Sequence, residues 1–184
     1  MTNKVRVYGK ETKCKTNVND RPMYRIVFDE MVSILNDSTW NEPILTIHVP
    51  QRAKFERYLQ AVLSLRLKKR FGDTEIEYPL AGKHADIYAN ETYIELKTPN
   101  TSYRFSDIVN KTRPITKNVQ SIIDDINKLR TLKIKEGVVA FVMFPIHPDK
   151  ADYMKHINKI ISALGNDNYC QEIVGNMLVF SCKI

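Results

Sequence analysis

Residues 137–144, GVVAFVMF, form an almost unbroken apolar run. A strand with one face in water alternates apolar and polar residues, whereas a strand covered on both faces reads as continuous apolar sequence. The run is also far shorter than the roughly 18 apolar residues of a membrane span. It therefore predicts the central strand of a sheet with helices packed on both faces.

The segments around this run predict an α/β fold with a mixed central β-sheet flanked by helices, in a single domain spanning 1–184. Helices are inferred from apolar stripes at helical spacing, and strands from alternation between turn residues. The predicted order from residue 51 is a helix at 51–71, strands at 74–80, 83–89 and 92–97, a long loop at 98–115, a helix at 116–133 and the strand at 137–144. A helix at 149–164 and a terminal hairpin with a Gly175-Asn176 turn follow, and residues 1–50 hold a helix at 23–37 and strands at 5–8 and 43–50.

The charge of the chain favours a polyanionic partner such as nucleic acid. The 184 residues carry a formal net charge of +7. The excess is local: residues 51–70 contain seven Lys or Arg against one acid, and residues 104–135 contain eight against three. Basic segments of this kind suit a phosphate backbone, with a solvated, solubilising surface as the alternative.

The cysteines and the lack of long apolar segments indicate the cellular compartment. The three cysteines lie far apart and form no CxxC pair or zinc-ligand set, which predicts free thiols in a reducing compartment. The first residues contain no apolar segment of the signal-peptide type, and no membrane span is expected. We therefore expect a cytoplasmic protein that does not enter a membrane.

The segment from His84 to Pro99, HADIYANETYIELKTP, carries the chemistry. If Asn90-Glu91 is a two-residue turn, Asp86 faces Glu95 and His84 faces Lys97 across the hairpin. Directly opposed residues share a face of the sheet, so these four polar side chains would converge on one patch. The inference depends on an even loop length, because a register shift of one residue moves every side chain to the other face.

Two opposed carboxylates repel each other, and a divalent cation would remove that repulsion. Mg²⁺ prefers carboxylate oxygens, water and phosphate, and it needs few protein ligands. A lysine beside such an ion can orient a water for attack on a phosphodiester. The alternative is an exposed Asp/Glu/Lys face on an ordinary hairpin.

The helix-strand-strand-strand-helix-strand order, together with Asp86, Glu95 and Lys97 in the spacing D-x8-E-x-K, resembles the PD-(D/E)xK nuclease superfamily. The resemblance covers about 51–144 and implies a restriction-endonuclease-like αβββαβ core, with an N-terminal extension at 1–50 and a C-terminal helix and hairpin at 145–184. Ala85 stands where many members have proline.

The resemblance also implies roles for individual residues. Asp86, Glu95 and the backbone carbonyl of Leu96 would bind Mg²⁺ or Mn²⁺, with help from Glu56 on the first core helix. Lys97 would serve the attacking water. His84 and Gln120 are candidate accessory residues, with structural or surface roles as the alternative.

The segment after the hairpin adds candidate phosphate contacts at Arg104, Lys111, Arg113 and Lys117. A solvated loop is the alternative. The sequence therefore predicts a Mg²⁺-dependent nuclease that cleaves DNA, foremost a restriction- or defence-type endonuclease, a class whose members are usually homodimers. A repair or recombination nuclease such as a junction resolvase, and a non-catalytic nucleic-acid-binding module, remain open.

Overall fold

A computed structural model describes residues 7–8, 21–48, 51, 53–101, 115–132, 134–147 and 153–184. These residues form a mixed seven-stranded sheet with helices on both faces. The α/β architecture and the mixed sheet that the sequence predicts are confirmed. No helix in the described ranges is both long and apolar enough to cross a bilayer.

The sheet has the strand order β1-β6-β7-β5-β4-β3-β2. Neighbouring strands run antiparallel except β4 and β5, which are parallel and joined through a crossover helix. The strands span Val7–Tyr8 (β1), Thr74–Leu80 (β2), Lys83–Ala89 (β3), Thr92–Lys97 (β4), Gly137–Met143 (β5), Tyr169–Val174 (β6) and Met177–Lys183 (β7).

Strand β5 is buried along its whole length, as its apolar sequence predicts. Its alternate side chains enter two different cores, which is the expected result for a strand covered on both faces. Val138, Ala140 and Val142 belong to one core, and Val139 and Phe141 to the other.

Each core is closed by its own pair of helices. The helices span Met23–Asn36 (α1), Ser38–Pro43 (α2), Glu56–Phe71 (α3), Ile115–Thr131 (α4) and Met154–Leu164 (α5). The apolar stripes of α1 and α3 cover one face of the sheet, and those of α4 and α5 cover the other. Gly72 and Gly165 end α3 and α5 with positive φ angles, a conformation that glycine adopts at low cost.

The hairpin turn at Asn90-Glu91 has the even length on which the site prediction depends. Both residues have positive φ, 47° and 61°, and Ala89 pairs with Thr92 directly across the turn. Two consecutive left-handed residues give the turn a twist that matches the strands, although glycine is the usual second residue. The terminal hairpin also turns at Gly175-Asn176, as predicted.

The predicted strand at 43–50 is wrong where the structure describes it. Pro43 ends α2, and residues Ile44–His48 continue as one π-helical turn. The Asp37 carboxylate caps α2 by accepting from the Thr39 amide at 3.0 Å, so a helical course is set before the apolar residues begin. Ile44 is then buried while Leu45 and Ile47 are exposed, which is not the alternation of a strand.

Several other predictions fall partly outside the described residues. Of the predicted strand at 5–8, Val7 and Tyr8 pair with β6. Of the predicted loop at 98–115, residues 98–101 are described, and Asn100 forms a parallel bridge with Phe144. Cys170 and Cys182 are buried free thiols, as expected, and Cys14 lies outside the described ranges.

Candidate active site

Strands β3 and β4 separate where the sequence places its first acid. Three predicted pairs are confirmed: Ala89 with Thr92, Tyr88 with Tyr93, and Ile87 with Ile94. The ladder does not continue to Asp86 and Glu95 or to His84 and Lys97, so those two predicted pairings are wrong. The Asp86 carboxylate instead accepts a hydrogen bond from the Leu96 amide at 2.7 Å.

Strand β3 is irregular at Asp86. Ala85 is buried in the core beneath α4, whereas Ile87 is buried in the core beneath α3, although residues i and i+2 of a regular strand share a face. On the neighbouring strand, the residue between the pairs Ile76–Ile87 and Tyr78–Ala85 is Glu77, whose φ is 51°. The irregularity places the Asp86 carboxylate against the backbone of β4.

Gln60 on α3 holds this irregular backbone in place by hydrogen bonds. Its buried amide donates to the Asp86 carbonyl at 2.6 Å and to the Glu77 carboxylate at 3.0 Å. The first of these bonds gives the Asp86 carbonyl a partner where the strands separate, and Glu77 is also paired with Arg57. Sequence reasoning did not find Gln60, because a single polar residue beside an apolar helical stripe carries no distinctive pattern.

Glu95 is the most deeply buried acid of the site, with 4% of its side chain exposed. The Lys128 ammonium on α4 contacts its Oε1 and also donates to the His84 carbonyl at 2.9 Å. The pKa of Glu95 is raised to about 7: burial is the largest cause, the nearby carboxylates of Asp86 and Asp125 add to it, and the hydrogen bond and charge of Lys128 oppose it. The Glu95 carboxyl group is therefore partly protonated near neutral pH.

Lys97 lies between two carboxylates. Its Nζ is 3.7 Å from Asp86 Oδ2 and 3.4 Å from Asp125 Oδ2, and it donates to the Leu96 carbonyl at 3.3 Å. Burial lowers the pKa of Lys97, but Asp86 and Asp125 outweigh burial and hold the pKa above its ordinary value. Burial also raises the pKa of Asp125, partly offset by Lys97.

Asp125 and Lys128 belong to a polar stripe on α4 that sequence reasoning missed. The stripe runs beside the apolar stripe of the same helix and faces β4; its members are Asn118, Ser121, Asp125 and Lys128. Their spacing of three, four and three residues is that of one helix face. That spacing is readable from the sequence once the strand beside the helix is known.

Two accessory predictions are not supported by the geometry. Gln120 is exposed on the side of α4 that faces away from both stripes, where its amide donates to Asp124 at 2.9 Å. The His84 side chain is exposed, and His84 pairs with Pro79 on β2 rather than facing Lys97. His84 contributes its backbone carbonyl to the site, as the second acceptor for Lys128.

Glu56, in the first turn of α3, lies near the end of β4. Its Oε2 accepts from the Thr98 amide at 3.1 Å, and its charge contributes to the raised pKa of Lys97. A small cleft opens here beside Lys97, lined by Lys54, Glu56, Lys97, Thr98, Pro99, Asn118 and Ser121. The structure thus places Glu56 near Lys97, and its predicted role as a metal ligand stays a prediction.

The predicted phosphate contacts are described at one position. Lys117 is exposed near the start of α4. Arg104, Lys111 and Arg113 lie outside the described residues.

The donor set fits a divalent cation by its chemistry. Carboxylate oxygens of Asp86 and Glu95 and the Leu96 carbonyl oxygen each contact a lysine ammonium, so each already faces a positive charge. Three half-buried or buried carboxyl groups, those of Asp86, Glu95 and Asp125, stand against the two ammonium groups.

A metal site here would depend on few protein ligands. Among the described residues, no group of three or more His, Cys, Asp or Glu side chains is arranged to hold a metal ion. Mg²⁺ commonly uses one or two carboxylates and completes its shell with water and phosphate, so two carboxylates and a carbonyl are compatible with it.

The geometry thus combines a carboxylate held across separated strands, a buried acid with a raised pKa and two lysines in one cluster. Perturbed titratable groups clustered beside a cleft are typical of functional sites, although structural ion pairs produce them as well. Comparison of the chain with protein-family models, curated proteins and solved structures finds no match.

Proposed function

We propose that this chain is a divalent-metal-dependent nuclease that hydrolyses phosphodiester bonds of DNA. The order α3-β2-β3-β4-α4-β5 supports a restriction-endonuclease-like αβββαβ core, because it repeats the helix-strand-strand-strand-helix-strand order expected from the sequence. The restriction- or defence-type endonuclease, acting as a homodimer, is the form we favour. A repair or recombination nuclease would share the same core and charge.

The convergence of Asp86, Glu95 and Lys97 where β3 and β4 separate carries the proposal. Burying Glu95 beside two other carboxyl groups is unfavourable for the fold, as its raised pKa shows. A structural hairpin has no need for that arrangement, whereas a site that receives a cation does.

Asp86, Glu95 and the Leu96 carbonyl would hold Mg²⁺ or Mn²⁺, and Glu56 lies at the adjacent cleft. The bound ion would polarise the phosphodiester and lower the pKa of a bound water. The Asp86 carboxylate is already oriented by the Leu96 amide, so one of its oxygens has a fixed direction. Preorganisation of this kind is what a reaction at a charged phosphate requires.

Lys97 would orient the attacking water and the phosphate oxygens. Because its pKa is raised, its amine is an ammonium group at neutral pH in the metal-free protein. An ammonium group donates hydrogen bonds and does not accept a proton, so this geometry favours orientation over proton abstraction.

The test is incubation of the purified protein with supercoiled plasmid, branched DNA and RNA, each with Mg²⁺, Mn²⁺ or EDTA. Cleavage of DNA that requires metal and is abolished in Asp86→Asn would support the proposal. Asparagine keeps an oxygen to accept from the Leu96 amide, so the fold is expected to survive.

Asp124→Asn is the matched control, since Asp124 is an exposed neighbour of the site residue Asp125 on the same helix. Full activity of Asp86→Asn would overturn the assignment. DNA binding without cleavage under any of these metals would instead favour the non-catalytic module, for which the two lysines already neutralising the acids are the supporting observation.

A further inference from the structure

Lys128 occupies the position from which a cation would bind Glu95. Its Nζ contacts Glu95 Oε1 and donates to the His84 carbonyl at 2.9 Å, and 16% of the Lys128 side chain is exposed. The contact is therefore a largely buried ion pair, in which neither charge is well solvated. Lys128 and a divalent cation would both be attracted to the same carboxylate, and their charges would repel each other at short range.

Lys97 and Lys128 differ in the partners that each would keep if a cation bound at the site. Lys97 lies within 4 Å of both Asp86 and Asp125, so it keeps a carboxylate partner when Asp86 takes a cation. Among the described residues, Lys128 without Glu95 retains a hydrogen bond to the neutral His84 carbonyl and a charge interaction with Asp125 that is weaker than that of Lys97. Of the two ammonium groups, that of Lys128 is therefore the one that would be released.

A released Lys128 would still point toward the reacting groups. It lies one turn beyond Asp125 on the polar stripe of α4, which faces the strand carrying Glu95 and Lys97. Its four-carbon stem is flexible and its ammonium is a compact donor for phosphate oxygens. A phosphodiester bound at Asp86 and Glu95 would bring such oxygens to the same face of the sheet.

We propose that Lys128 is a phosphate-contacting residue. In the metal-free protein its ammonium pairs with Glu95, and when Glu95 binds a divalent cation the ammonium leaves Glu95 and contacts the phosphodiester. The inference rests on the proposed function, because it requires a metal at Glu95 and a nucleic acid substrate. It predicts opposite effects of one substitution: tighter metal binding and weaker nucleic acid binding.

The experiment compares Lys128→Met with the unaltered protein at one and the same pH. Mn²⁺ affinity is measured without nucleic acid, by the electron paramagnetic resonance signal of free Mn²⁺. Lys128→Met should bind Mn²⁺ roughly tenfold more tightly, which corresponds to about 1.4 kcal/mol of removed competition. Lys135→Met is the matched control, since Lys135 is exposed and pairs with Glu91 on the hairpin turn.

The second measurement is binding of a labelled DNA duplex in Ca²⁺ across a salt series. Lys128→Met should bind more weakly, and its log–log salt slope should be smaller by about 0.9, the value of one lost phosphate contact. An unchanged or weaker Mn²⁺ affinity in Lys128→Met overturns the inference, and so does an unchanged slope. Absence of Mn²⁺ binding in the unaltered protein overturns the proposed function itself.

A measurement on the unaltered sequence covers the case in which Lys128→Met does not fold. In lysine side-chain ¹⁵N spectra, with the Lys128 signal identified from Lys128→Arg, Mg²⁺ should shift the Lys128 ammonium signal and leave that of Lys135 in place. A Lys128 signal that stays unmoved while Mg²⁺ binds contradicts the release from Glu95.

Discussion

At the scale of single residues, Asp86 shows how one side chain changes a sheet. Its carboxylate accepts a hydrogen bond from the Leu96 amide, and its backbone carbonyl accepts one from the side-chain amide of Gln60 on α3. Each bond replaces one that a regular strand pair would make, so the strands separate without leaving these groups unpaired. The separation in turn leaves room for Glu95 and Lys97 to meet residues of α4.

The Lys97 ammonium should matter for turnover more than for affinity. We expect Lys97→Met to lower turnover by about 10²–10³, the usual cost of removing one preorganised donor at a reacting centre. Duplex affinity in Ca²⁺ should change little, because Lys97 is neutralised by Asp86 and Asp125. Single-turnover cleavage and fluorescence anisotropy measure the two quantities.

Lys135→Met again provides the control for that experiment, as an exposed lysine outside the site. Normal turnover combined with a large loss of affinity would show that Lys97 anchors phosphate instead.

Glu95 should make the metal-free fold less stable as the pH rises. Its folded pKa of about 7 lies above the ordinary value of 4.5, so the folded state holds a proton that the unfolded state has released. Protonation therefore stabilises the fold, and that contribution is lost as the pH rises from about 4.5 to about 7. Thermal unfolding in EDTA between about pH 5 and pH 8 should show a falling Tm, and Glu95→Gln should flatten the curve.

The control for the pH series is Glu91→Gln. Glu91 is exposed, and its pKa is lowered chiefly by the hydrogen bond from Lys135, so its titration lies below this pH window. A Glu95→Gln profile as steep as that of the unaltered protein would contradict the assigned pKa.

At the scale of elements, apolar patterns predicted most helices and strands, because burial imposes a period on the sequence. The helix at 116–133 and the three-stranded meander are confirmed within a few residues of their predicted ends, whereas the helix predicted at 51–71 begins later, at Glu56. The strand prediction at 43–50 was wrong because it relied on apolar composition alone. The helix that Asp37 caps instead sets a helical course that continues into these residues.

The site was predictable only in part, for a related physical reason. Asp86, Glu95 and Lys97 are close in the sequence, and their grouping follows from one hairpin. Asp125 and Lys128 come from a separate helix, and their approach to β4 depends on how the crossover packs. Gln120 was preferred to them on resemblance alone, and the helical rotation places it outside the site.

The link between α3 and β3 through Gln60 should support both stability and activity. Gln60→Leu leaves the Asp86 carbonyl without its side-chain donor, which should cost about 1–3 kcal/mol of unfolding free energy in urea denaturation. Cleavage should also fall, since the Asp86 backbone loses its support. Gln120→Leu, on the exposed side of α4, should leave both measurements unchanged, and equal effects of the two substitutions would contradict the assignment.

At the scale of the whole molecule, the chain carries a net charge of +7, whereas the candidate site itself is rich in acids. Under the proposed function, the net positive charge would attract a polyanion over long range, and the local acids would require a cation before phosphate approached closely. Nucleic acid binding should therefore depend strongly on salt and on divalent ions together.

The double substitution Lys111→Ala/Arg113→Ala tests the path of the nucleic acid. If both residues contact phosphates, binding should weaken for all sequences, and the log–log salt slope should fall by up to about 2. Fluorescence anisotropy with labelled duplex in Ca²⁺ gives the slope. Lys68→Ala/Lys69→Ala, at the exposed end of α3, is the comparison, and a reduced slope in that variant alone would place the path along α3.

The position of β5 in the sheet differs from its position in the order of synthesis. One of its neighbours, β4, is made before it, but the other, β7, is made after α5 and β6. A ribosome-bound chain that ends before Met177 therefore carries a wholly apolar strand with one unpaired backbone edge. Such edges recruit strands from other chains, and large sheets that close late expose them longest. The β6–β7 hairpin thus supplies, last in the order of synthesis, the strand that covers this edge of β5.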